Sequence, residues 1–207
     1  DAGVGVGATT IVDAGSTGPW TFGGFQAHVV NRAATDVRAF VSINVAGALM
    51  GGMKGDVLHG PAMTDVGAVL AAIEKHPRAI RGIKCHGESG AASHWGTEVF
   101  QKAAEAGRAA QLPLYVHTGE LFPVVEDNRP APRSVLAAFV PHLKAGDVLA
   151  HVYSDMPDGI CGADDTVPDA LRAALDKGVR VDIGYGINFS YRIARMLMAA
   201  GIYPHTI

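Results

Sequence analysis

Cysteine is almost absent. Cys85 and Cys161 are the two in 207 residues, too few for a disulfide framework. A reducing, cytoplasmic setting is therefore expected. Charge is also sparse: Asp, Glu, Lys and Arg make up 18% of the chain, with 17 Lys+Arg against 20 Asp+Glu and a net charge of −3. No run of Lys or Arg occurs, so no nucleic-acid partner is expected. No apolar stretch reaches the ~18–20 residues of a membrane helix. No charged segment followed by an apolar one marks a signal peptide, so no membrane partner is expected either. Linker-like low-complexity stretches are missing too, which leaves one domain. What the chain does have is 48% hydrophobic residues, enough for a core, and 26 glycines without a collagen-like period. Glycine in that number points to many tight loops. The chain opens at Asp1 and DAGVGVGA reads as the middle of an element, so a piece of a longer protein is expected.

Short apolar runs bounded by Gly or Pro alternate with amphipathic stretches. Strands are expected at 9–15, 39–45, 79–86, 112–119, 147–154 and 179–186, with PHTI (204–207) opening another. Helices are expected at roughly 22–33, 65–76, 95–110, 132–143, 167–177 and 188–200. Thr64 is a candidate N-cap for the second of these, and Gly178 a candidate C-cap for the fifth. Alternating buried strands and helices imply right-handed βαβ units and a parallel sheet. An open doubly wound sheet and a (β/α)8 barrel both satisfy this pattern. Gly3-Val4-Gly5-Val6-Gly7 precedes a strand and is no GxGxxG fingerprint, which weakens the dinucleotide-binding alternative. The gap at 46–78 suits a long active-site loop.

In parallel α/β proteins the functional end is the C-terminal edge of the strands. Consecutive strands here end in Lys84, His117 and His151, spaced by about one βα unit each. They are expected on one rim, aimed into one site. A lysine in an apolar strand is unusual, because burying an unpaired ammonium is costly. It needs an ion pair with an acid such as Asp13 or Glu120, a Schiff base, or a chemical modification. Neutral imidazoles suit zinc and similar divalent ions. A neutral lysine amine can add carbon dioxide, and the resulting carbamate can bridge two metals as a carboxylate does. A hydroxide bridging two such ions is a strong nucleophile near neutral pH.

The stretches TTIVDAGSTG (9–18), RGIKCHG (81–87), YVHTGE (115–120), GDVLAHVYS (146–154) and VDIGYG (181–186) resemble the amidohydrolase superfamily, in its dihydroorotase-like amidohydrolase/deacetylase branch. They run in the family's order through nearly the whole chain. The resemblance implies a TIM barrel with a two-metal centre, with zinc the expected metal. Lys84 matches the carboxylated bridging lysine, and His117 and His151 match two imidazole ligands. An HxH pair and a general acid/base Asp belong to the family's pattern. They are expected before Asp1 and beyond Ile207, so the barrel (1–207) would lack its first strand, the end of its eighth and the flanking β-sandwich. His86 and Tyr185 are candidate substrate contacts, Tyr185 standing where many relatives carry His. Glu120 and Tyr153 are candidate hydrogen-bond supports for the ligands, and Asp13 is a candidate to hold either the first strand's loop or a neighbouring imidazole. Trp20, Phe22 and Phe25 are expected to pack the first helix, and Cys85 to face the core.

The activity expected is metal-dependent hydrolysis of an amide or ester bond in a small molecule, deacetylation first and dihydroorotase-type ring opening second. A different class remains: a metal-free lyase in which Lys84 forms a Schiff base. The two imidazoles in register argue against it. The 207 residues alone are expected to be inactive without the remaining ligands, and an open barrel edge invites pairing with a second copy.

Overall fold

The computed structural model describes residues 2–48, 60–87, 89–119, 124–156, 159–161, 164–184 and 189–205. Six strands form one sheet: β1 (Thr10–Ala14), β2 (Asp36–Ser42), β3 (Ile80–His86), β4 (Leu114–His117), β5 (Val148–Ala150) and β6 (Arg180–Val181). Every pairing is parallel, and the order is β1-β2-β3-β4-β5-β6. That order decides between the two closures. A doubly wound sheet starts in its middle and reverses at a switch point. Here each strand lies beside its predecessor, so all crossovers wind one way and the sheet curls as a barrel wall. Among the described residues β1 and β6 each have one neighbour, which makes the wall incomplete. His205 N donates to Val181 O at 2.8 Å, but Pro204 and His205 form no strand; 206–207 lie outside the described residues.

The strands alternate between two environments. Ile83, Cys85, Leu114, Val116, Leu149 and Val181 are buried in the core against the helices. Lys84, His86, Tyr115, His117, Val148 and Asp182 instead line a cavity on the opposite face. Cys85 thus packs in the core as expected.

The helices follow the sequence pattern with local differences. A short helix α1 (Ala2–Gly5) precedes β1, and α2 (Phe22–Phe25) continues as a π-helical turn over Gln26–Val30. Phe22 is buried and Phe25 half-buried, whereas Trp20 is exposed. Helix α3 (Val66–Lys75) is capped by Asp65, whose carboxylate accepts from Ala68 N at 2.9 Å. Thr64 is not the cap: its hydroxyl donates to Pro61 O at 2.7 Å. Two helices, α4 (Ser89–Trp95) and α5 (Glu98–Ala109), fill the next crossover. Helices α6 (Pro132–Phe139), α7 (Asp169–Asp176) and α8 (Tyr191–Ala199) complete the layer. Gly178, at φ +84°, ends α7 in a Schellman motif: its N–H bonds Leu175 O, and Val179 N bonds Ala174 O. Among the described residues no helix is long and apolar enough to cross a membrane.

Candidate active site

The strands' C-terminal ends surround a cavity of about 750 Å³ that includes Lys84, His86, Tyr115, His117, His151, Asp182 and Gly184 in its lining. Strand register sets their levels. His86 pairs with His117, and His117 with Ala150, so these lie at one height; Lys84 pairs with Tyr115 one layer lower. The imidazoles of His86 and His117 stand 5.4 Å apart, and those of His117 and His151 4.3 Å apart. The three sequence candidates Lys84, His117 and His151 therefore reach one cavity from three adjacent strands. All three are buried, with 4%, 4% and 5% exposure.

His151 reaches the cavity by an unusual route. Ala150 already occupies the inward position beside His117, so strict alternation would send the next side chain toward the helices. Instead β5 ends at Ala150, and His151 adopts φ +63°, left-handed backbone that is rare for a bulky residue. The Thr118 hydroxyl donates to Ala150 O, and Asp182 Oδ1 accepts from His151 N at 3.2 Å. Gly184 leaves the space the ring needs, since a Cβ there would collide with it.

Burial and the positive charge of Lys84 lower the pKa of all three imidazoles. His86 falls to about 3 and His151 to about 4; His117 lies well below the usual range, with His86 and His151 adding to the effect. The rings are thus neutral at physiological pH, the form that binds metals. The Nε2 of His117 is buried without a hydrogen-bond partner. An orphaned imidazole nitrogen in a cavity shared with Lys84 and His151 fits a cation site. Among the described residues no group of three or more His, Cys, Asp or Glu could hold a metal. A metal at the two imidazoles needs a further donor, and Lys84 lines the same cavity.

The other candidates divide. His86 lines the cavity. Of the two roles expected for Asp13, the structure shows the loop: its carboxylate accepts from Gly15 N, Ser16 N and the Ser16 hydroxyl, closing the loop after β1. Tyr153 does not support an imidazole: its hydroxyl donates to Ile202 O at 3.2 Å within the core. Glu120 and Tyr185 lie outside the described residues. Sequence reasoning missed Tyr115 and Asp182. The Tyr115 hydroxyl donates to Asp182 Oδ2 in the cavity wall. Burial raises the pKa of both, the Asp182 charge and bond adding to the effect on Tyr115. Asp182 was visible as the acid ending the sixth strand, and Tyr115 only as part of the YVHTGE stretch.

No family model matches the chain. A deacetylase of Agrobacterium fabrum is 24% identical over 202 residues, covering 97% of this chain and 47% of the relative. A deacetylase of Enterococcus faecalis is 28% identical over 210 residues, covering 100% of this chain and 53% of the relative. The chain thus spans about half the length of the curated relatives it matches. Among solved structures, a dihydroorotase superposes with a TM-score of 0.77 at 26% identity, over 96% of this chain and 49% of that one. An adenine deaminase gives the same score and identity over 96% and 50%. Sequence and fold, compared separately, agree across nearly all of the chain: it is similar to deacetylases in sequence and to a dihydroorotase and an adenine deaminase in fold, the likeness expected of an amidohydrolase-superfamily fragment.

Proposed function

We propose that the chain forms part of a metal-dependent hydrolase that cleaves an amide or ester bond of a small molecule, a deacetylase first of all. One observation carries this reading: Lys84, His117 and His151, from consecutive strands, line one cavity. The deacetylases among its relatives support the choice of reaction. The dihydroorotase among its structural neighbours keeps cyclic-amide hydrolysis as the second reading.

His117 and His151, neutral through burial, would hold one of two divalent ions, with zinc proposed. A carbamate on Lys84 would supply their oxygen donor, and the remaining ligands and the general acid/base are proposed to come from outside this chain. Such ions supply Lewis acidity at the substrate carbonyl and acidify a bound water toward neutral pH. The chain's own contribution is to fix the donors and dry their surroundings. Phe40 and Tyr115, stacked at 5.1 Å, wall the lower cavity, and His86 lies beside His117, where it would contact substrate.

Replacing Lys84 by Ala in the native full-length protein tests the reading. Bound metal and hydrolysis should both be lost, and short carboxylic acids should partly restore activity by standing in for the carbamate oxygens. A Schiff-base lysine would not be rescued, because a carboxylate forms no imine. Unchanged metal content with activity retained would rule Lys84 out as a ligand.

A further inference from the structure

The Tyr115–Asp182 pair joins groups that the strand order keeps apart. Tyr115 stands on β4 and Asp182 just past β6, with β5 between them: Val148 pairs with Tyr115 on one side and with Arg180 on the other. The Tyr115 hydroxyl donates across that gap to Asp182 Oδ2. The other carboxylate oxygen accepts from His151 N at 3.2 Å. At the opposite end of the pair, Lys84 Nζ sits 4.6 Å from the centre of the Tyr115 ring, a cation–π distance. Phe40 stacks on the same ring. An unbroken series of contacts thus runs from the Lys84 amine through Tyr115 and Asp182 to the backbone of His151.

We propose that Tyr115 and Asp182 act as a positioning pair that sets where the Lys84 amine and the His151 imidazole stand relative to each other. The inference rests on the metal-site reading of those two groups. Asp182 is not offered as a ligand or proton carrier, because both of its oxygens already accept hydrogen bonds from Tyr115 and His151. Its exposure is 5%, and a carboxylate so buried keeps its bonds because losing them leaves an uncompensated charge. The bond to His151 N falls on a residue with φ +63°, where the backbone needs an outside constraint to stay. Tyr115 sets the height of the Lys84 side chain by contact, since Nζ lies 4.6 Å above the centre of a ring on which Phe40 stacks.

Three variants of the native full-length protein test this. Tyr115→Phe keeps the ring and its stack but removes the hydroxyl. Asp182→Ala removes both acceptors. Asp182→Asn keeps an acceptor for His151 N and a partner for the Tyr115 hydroxyl. Zinc affinity, measured by chelator competition, should fall ~10–100-fold in Asp182→Ala. Tyr115→Phe should fall in the same direction, and Asp182→Asn should stay close to the parent. The visible spectrum of the cobalt-substituted protein should shift in the first two and be restored in the third. A merely structural pair would lower Tm in all three variants but leave zinc affinity and the cobalt spectrum at parental values; that result overturns the proposal. If the parent itself binds no zinc, the metal reading fails separately. Metal-free crystal structures of parent and Tyr115→Phe then decide positioning: an unmoved Lys84 amine and His151 ring refute it, and displaced groups support it. Should Asp182→Ala not fold, Tyr115→Phe and Asp182→Asn carry the comparison.

Discussion

The imidazole of His151 lies against Gly184, in the space that a side chain at position 184 would need. A Cβ there would meet Nδ1 and Cε1 of the ring, and Gly184 has φ +78°, which disfavours any L side chain. Gly184→Ala should therefore push the ring out of place as well as strain the loop. The expected outcome is a ~10–100-fold loss of zinc affinity, the range typical for disturbing a ligand's support. Chelator competition measures it, and unchanged affinity would mean that His151 holds no metal.

Lys84 has a similar neighbour. Gly15 follows β1 at φ +98°, and a Cβ on it would collide with the Lys84 Cβ and Cγ. Gly15→Ala should displace the lysine stem at a distance of one strand and reduce metal content along with activity. Metal analysis of the purified variant checks this. Full metal content would show that the stem can move without moving the amine out of reach.

The lowered imidazole pKa values make the metal-free protein acid-sensitive. An unfolded chain protonates His near pH 6.5, while folded His151 and His86 resist protonation down to about 4 and about 3. Between those limits the unfolded state binds more protons, so stability rises with pH. The stabilisation is complete above about pH 6.5 and is lost progressively as pH falls toward 4 and then 3. Denaturant unfolding of the metal-free protein at pH 7.5, 5.5 and 4.5 should give falling midpoints. His151→Asn should flatten part of that dependence, and an equally steep profile in the variant would count against the assignment.

The opposite end of the barrel should behave differently. Asp147 is buried and accepts from Leu114 N at 2.8 Å, Lys144 N at 2.8 Å and Lys144 Nζ at 3.0 Å. Asp147→Ala leaves the two backbone N–H groups without this partner and should cost about 2–3 kcal/mol of stability. Zinc affinity at the far rim should stay within about twofold of the parent, because the N-terminal ends of barrel strands serve stability. A large loss of affinity in folded protein would contradict this division.

The strands and their polar endings were legible because each is a local signal. A buried strand is a short apolar run, and Lys84, His117 and His151 stand out as polar residues at the ends of such runs. Register was legible only in part. It carries Lys84 and His117 inward, but His151 points inward because its backbone turns left-handed, which no alternation rule foresees. Tyr115 and Asp182 were hidden for another reason. A tyrosine within a strand looks like core, and its bond to Asp182 skips a strand, so no sequence spacing connects them. Tyr153 shows the converse: beside a candidate ligand in the sequence, it spends its hydroxyl on Ile202 O in the core. The cap of α3 moved by one residue because Asp65 offers a better acceptor than Thr64, whose hydroxyl is engaged with Pro61.

His151 at φ +63° has a consequence for selection experiments. Left-handed backbone costs a non-glycine residue roughly 1–2 kcal/mol, so glycine at 151 would relieve strain while removing the imidazole. A library screened for thermal stability alone would thus enrich His151→Gly, and one screened for the proposed hydrolysis would purge it. Position 151 is where the two pressures part, and it would separate variants that merely endure heat from those that still turn over substrate.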